Sequence, residues 1–174
     1  DSKYTLKNKN EIDKDKENTE DKDIHEYESI EGEIFIISFD NETYFFNSNK
    51  FGKYTGNLLK INNYVLITSQ STISLTEDKL DFDNFDAYDC MLFLKDPSIK
   101  PDNLLNIAKH IDRSSGLSKK SDIIDFLKFF QQNTSIIKNE ISEFKKDKKL
   151  NLLYKDLDFP MLEILSSMNK KGVK

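Results

Sequence analysis

A lone cysteine, Cys90, leaves the chain without the means to form an intramolecular disulfide, which excludes a disulfide-stapled scaffold. Its apolar surroundings, "DCMLFL", make the thiol read as a small buried apolar group. Histidine is almost as scarce. His25 and His110 lie far apart, and no Cys/His cluster has the spacing of a zinc site. Tryptophan is absent, and arginine is represented by Arg113 alone against 25 lysines. No apolar run approaches the about 20 residues of a membrane-spanning helix, and no signal-peptide core is present. The nucleophile elbow G-x-S-x-G, the P-loop and the dinucleotide fingerprint G-x-G-x-x-G are all missing. No motif in the sequence therefore nominates a catalytic residue, a cofactor or a metal ligand set.

What is present is charge, unevenly spread over 174 residues. The net charge of −5 divides into −4 for residues 1–28, −6 for 29–94 and +5 for 95–174. A weakly acidic total argues against a general nucleic-acid binder, which carries a concentrated basic field. The excess of lysine, asparagine and isoleucine fits an AT-rich coding genome and lowers the functional weight of any one lysine. Residues 1–28 include "KNKNEIDKDKENTEDKD" and offer few large apolar side chains. Such a stretch cannot bury enough surface to offset its ordering entropy, so it is expected to be a disordered tether. Residues 29–174 are then expected to form one domain.

From Glu31 the pattern is that of strands. "EGEIFIISFD" is apolar on both faces, Asp40-Asn41 supplies turn chemistry, and "YFFN" reads as a return strand. A short strand over 57–61 and a hairpin of "NNYVLITS" with "STISLT" extend this to an antiparallel meander over 31–76, and "YDCMLFLK" reads as one more strand. After Pro97 the period becomes helical. Pro101 suits a first helical turn, Ser121 a cap with Asp122 and Asp125 behind it, and one long helix runs to about Lys146, with a division into two at Asn133-Thr134-Ser135 as the alternative. Asp158 and Pro160 open a final helix. Strands first and helices after predict an α+β fold, an N-terminal antiparallel β-meander packed against C-terminal α-helices.

Two stretches are candidate sites. "LDFDNFDAYD", residues 80–89, sets Asp81, Asp83, Asp86 and Asp89 among Phe82, Phe85 and Tyr88. An EF-hand register fails: starting at Asp81, the fifth position is Phe85 and the twelfth Leu92, while starting at Asp83 gives Phe85 and Ala87 at the third and fifth. The favoured reading is an acidic turn whose aromatics face the core and whose aspartates face water. An acidic and aromatic binding edge, formed by the four aspartates with Phe85, stands beside it. So does a looser carboxylate site for a metal-assisted hydrolase. "EFKKDKKLNLLYK" carries Lys145, Lys146, Lys148 and Lys149, where a polyanion such as a glycosaminoglycan or nucleic acid would bind, or which simply form a solvated helix end.

The tract "DSKYTLKNKNEIDKDKENTEDKD" together with the Lys/Asn/Ile bias resembles the mature part of spirochaetal surface lipoproteins of the Lyme-disease group. The resemblance implies a lipidated cysteine ahead of Asp1, a polar tether and display on the outer membrane, with membrane contact only through that anchor. The strand-rich section 31–76 departs from the all-helical members common in that group. The expected function is a non-enzymatic, surface-anchored interaction protein that binds a host or partner macromolecule, a protein or a polysaccharide. The alternative is a cytoplasmic regulatory or nucleic-acid-associated protein using Lys145, Lys146, Lys148 and Lys149.

Overall fold

A computed structural model describes residues 4–5, 32–40, 42–54, 63–69 and 85–170. The element that organises them is β2 (Ile34–Phe39), whose first five residues are all buried. A strand apolar on both faces needs neighbours on both edges and cover above and below. Asp40, at φ 49°, turns the chain back into β3 (Glu42–Phe46). Ile36 then pairs with Phe45 and Ile37 with Tyr44. The next turn is built by Asn47, whose Oδ1 accepts from the amides of Asn49 and Lys50 at 2.9 and 2.8 Å and leads into β4 (Phe51–Tyr54). Outside β4 lies the two-residue β1 (Tyr4–Thr5), which falls in the stretch read as a tether. The rest of residues 1–28 lies outside the described residues.

On the other edge of β2 the order changes. β5 (Tyr64–Leu66) and β6 (Phe85–Ala87) add in parallel, giving a mixed six-stranded sheet in the order β1-β4-β3-β2-β5-β6. The meander thus holds over β2-β3-β4 and gives way to parallel pairing beyond it. Tyr64 to Ile67 are buried without alternation, as a strand covered on both faces should be. The strand expected at 57–61 and the hairpin arm "STISLT" lie outside the described residues.

The helices follow in sequence, so the fold is α+β. "YDCMLFLK", expected as a strand, is α1 (Tyr88–Lys95). Its buried Tyr88, Met91 and Leu92 share one helical face while Phe93 and Lys95 face water, and a short apolar run does not distinguish the two periods by itself. A 3₁₀ turn (Pro97–Ile99) leads to α2 (Leu104–Ile111), capped by Asn103, whose Oδ1 accepts from Asn106 N at 2.9 Å, so that Pro101 precedes the helix. α3 (Ile123–Gln132) opens on a reciprocal capping box between Asp122 and Asp125, and Ser121 instead accepts from the Ser118 amide. Asn133 ends α3 and separates it from α4 (Thr134–Lys146). Asp147 caps α5 (Lys148–Leu153), which passes through a π turn (Tyr154–Asp158) into α6 (Phe159–Lys170).

Aromatic rings join helices to sheet. Phe35 stacks on Phe46 with centroids 5.0 Å apart, Phe46 meets Phe130 of α3 at 6.1 Å, and Phe39 meets Phe126 at 6.4 Å. At the far edge Tyr154 packs edge-on against Phe144 and its hydroxyl oxygen accepts from the buried Ala87 amide of β6 at 2.7 Å. That bond fixes the C-terminal helices to the last strand. Tyr154→Phe keeps the ring but leaves the Ala87 N–H without this acceptor, which is expected to cost about 1–3 kcal/mol. Urea denaturation checks this: the midpoint should fall with the slope unchanged.

Candidate functional site

The chemistry of the molecule concentrates where α1 begins. Asp89 stands in the first turn of α1 and is 7% exposed. Its Oδ2 accepts from the Ser69 amide at 2.7 Å and the Ser69 hydroxyl at 2.9 Å, and its Oδ1 from the Cys90 amide at 2.9 Å. Three donors favour the carboxylate, yet burial outweighs them and pushes Asp89 up to about 6. The Ser69 hydroxyl also lies 3.4 Å from Cys90 Sγ. Burial and the charges of Asp89 and Asp158 raise the Cys90 thiol, so it is a poor nucleophile at neutral pH.

Asp89 and Cys90 form the inner end of a groove of about 420 Å³ between α1, the loop around Lys100–Asp102 and the C-terminal helices. Its walls are Phe93, Pro101, Met161, Leu162 and Leu165, with Asp158 from the π turn beside them. Volume and lining match the mostly apolar, sparsely polar character of binding sites. The groove opens onto a stripe of large exposed apolar side chains: Leu153, Leu157, Met161, Ile164, Leu165 and Met168, with Phe93 across from them at 51% exposure. Their spacing of three and four residues sets them along one face of a helical segment. Sequence reasoning gave the helix from Asp158 onward but neither the helical segment 148–157 before it nor the outward apolar face, because an amphipathic stripe does not announce which side is covered.

The two candidate stretches of the sequence meet. Lys145 Nζ lies 2.7 Å from Asp86 Oδ2, and Lys146 pairs with Glu143 at 2.6 Å. Two of the four lysines proposed for a polyanion therefore have acidic partners, while Lys148 and Lys149 stand exposed on α5. Phe85 is buried in β6 against Tyr64, so it contributes to the core and not to an exposed edge. Asp89 is likewise inward, not facing water, because the chain turns into a helix at Tyr88 and carries it under Ser69. Asp81, Asp83 and Phe82 lie outside the described residues. Among the described residues no group of three or more acids, histidines or cysteines has the geometry of a metal site. No helix among them is long and apolar enough to cross a membrane.

A second polar cluster joins three helices. The Tyr88 hydroxyl donates to Glu140 of α4, whose carboxylate also lies 3.1 and 3.2 Å from His110 Nε2 of α2. Burial and the Glu140 charge hold the Tyr88 phenol well above its ordinary range, so it stays a donor. This is an internal strut. Comparison of the chain with protein-family models, curated proteins and solved structures finds no match.

Asp89 predicts a pH dependence. Its folded carboxyl binds a proton more tightly than the unfolded one, which titrates near 4. Its contribution to stability is therefore full below about pH 4 and lost as pH rises through about 6, a change of up to about 3 kcal/mol. Burial raises Asp158 as well, with the same sign. Glu42, Asp96, Asp112 and Glu143 are lowered by hydrogen bonds, and their contribution is lost only below the ordinary carboxylate range. Denaturation at pH 5 and pH 7.5 should show the greater stability at pH 5, and Asp89→Asn should flatten most of that difference.

Proposed function

We propose that this chain is an interaction protein that engages a partner macromolecule through the groove beside α1 and the apolar face of α5 and α6. The observation that carries the reading is the stripe from Leu153 to Met168, continued across the groove by Phe93. Contiguous exposed apolar surface rimmed by polar residues is the property of docking sites, since water penalises leaving it uncovered. A helical stripe with three- and four-residue spacing suits the helix-in-groove mode of recognition. The groove's buried polar groups are held by neighbours, and the Cys90 thiol is kept protonated, so the arrangement favours binding over bond-making. Display on a cell surface through the polar residues 1–28 completes the proposal and rests on their composition. The coding sequence upstream of Asp1 tests that part: a basic segment, an apolar core and a small-residue site ending in cysteine are expected.

Leu157 and Ile164 are 61% and 53% exposed, so the double variant Leu157→Asp/Ile164→Asp should fold with a midpoint of unfolding close to the parent's. On an array of purified surface proteins and polysaccharides at physiological salt, the parent is expected to retain a ligand that the variant loses. Equal retention by both proteins would remove the docking face, and an array with no ligand for the parent would count against the function.

A further inference from the structure

We infer that the groove takes an amphipathic helix of a partner protein that is basic as well as apolar, seating a lysine or arginine side chain over Asp158 while its apolar face covers the stripe of α6. This rests on the interaction reading above and adds the chemistry of the partner.

Three observations lead there. The first is charge. Among the described residues the groove's charged lining is Asp89, Asp102 and Asp158 against Lys100. Asp89 is occupied by Ser69 and Cys90, and Asp102 accepts from the side-chain amides of Asn103 and Asn106 at 2.9 and 2.8 Å. Asp158 differs: partial burial raises its carboxyl, and among the described residues no donor or cation offsets that cost. A partner's cation would supply what it lacks, and a long basic side chain can lay its methylenes along Met161 and Leu165 while its head reaches a carboxylate. The second is extent. From Leu157 to Met168 the exposed stripe runs about 16 Å along the axis, about three turns, which is longer than a small amphiphile covers and matches a helix. The third is exclusion by sign. The chain's own residues 1–28 carry a net −4 and would be repelled by the groove's acidic lining.

The first test is fluorescence anisotropy of a labelled Leu/Lys peptide of about 16 residues, long enough for the stripe and patterned to form an amphipathic helix, against the full chain at physiological salt. A Leu/Glu peptide of the same pattern and a shuffled Leu/Lys peptide of the same composition serve as comparisons. Binding is expected for the patterned basic peptide alone. Asp158→Asn should weaken it roughly tenfold or more, and Met161→Asp should abolish it. Equal binding of the shuffled peptide, or no loss in Asp158→Asn, would overturn the inference by showing attraction to net charge only. Binding of the Leu/Glu peptide would overturn the preference for a basic partner. Self-association in sedimentation velocity that Met161→Asp abolishes, without peptide binding, would assign the face to a second copy and overturn it too. Should the peptides fail while the array ligand is still lost in Leu157→Asp/Ile164→Asp, the docking reading stands and only its basic chemistry falls.

Discussion

The C-terminal half of the molecule depends on where one carboxylate is buried. Asp89 binds the amide and hydroxyl of Ser69, just beyond β5, to the first turn of the helix that follows β6. β5 and β6 are parallel neighbours, and two such strands cannot be joined by a tight turn. A single charged acceptor ties the end of β5 to the start of the helix after β6, through two bonds to Ser69 and one to Cys90. The same placement directs α1 so that Tyr88, Met91 and Leu92 enter the core while Phe93 is left outside. The groove is a consequence. Its inner end is the underside of the Asp89 anchor, and its outer wall is the helix that Tyr154 ties to Ala87.

Burying a carboxylate without a cation is costly, and the rise of Asp89 to about 6 expresses that cost. An asparagine would keep one acceptor and incur less desolvation, though its amide nitrogen would face a donor. The carboxylate can accept on both oxygens at once, which is what Ser69 and Cys90 require. The interaction is therefore geometrically demanding more than it is stabilising. Its contribution weakens across the pH range in which the acid ionises.

Much of this architecture was legible in the sequence, and the gaps have physical causes. The apolar residues of "EIFIISF" marked the central strand, Asp40 its turn, and the spacing of Phe126, Leu127, Phe130, Ile137, Ile141 and Phe144 the helical run to Lys146, which the structure divides at Asn133 as the alternative reading had it. Parallel pairing of β5 was not legible, because a buried parallel strand and a buried antiparallel one read alike over so few residues. Nor was α1: "YDCMLFLK" is apolar enough for either period, and the choice is made by Asp89, whose bonds to Ser69 are long-range. The lysine run was visible as charge, but its pairing of Lys145 with Asp86 spans 59 positions and follows only from the docking of α4 beside β6. Candidate surfaces were misplaced for the same reason. Asp89 looked exposed in a row of aspartates, and tertiary contact turned it inward, while Phe85 faces the core as the acidic-turn reading expects and not the binding edge that was its alternative.

That reversal bears on where the proposed partner would meet the molecule. An acid-rich sequence directs attention to its charges, yet Asp86 is engaged by Lys145 and Asp89 by Ser69. Among the described acids of the groove, the one left with desolvation and no compensating contact is Asp158, in a π turn that no local signal marks. A π turn inserts one extra residue into the helical repeat, and such insertions recur at functional sites because they redirect a side chain without breaking the helix. Here the segment from Lys148 to Lys170 stays helical through the turn. It keeps Tyr154 buried on the sheet side and leaves Leu157, Met161, Ile164 and Met168 on the other. The turn thus lets one helical run perform two tasks, anchoring to β6 and presenting an apolar face. It also sets a carboxylate at the start of that face. Desolvation of Asp158 before any partner arrives lowers the further cost of covering it, so a cation brought there meets a charge already partly stripped of water.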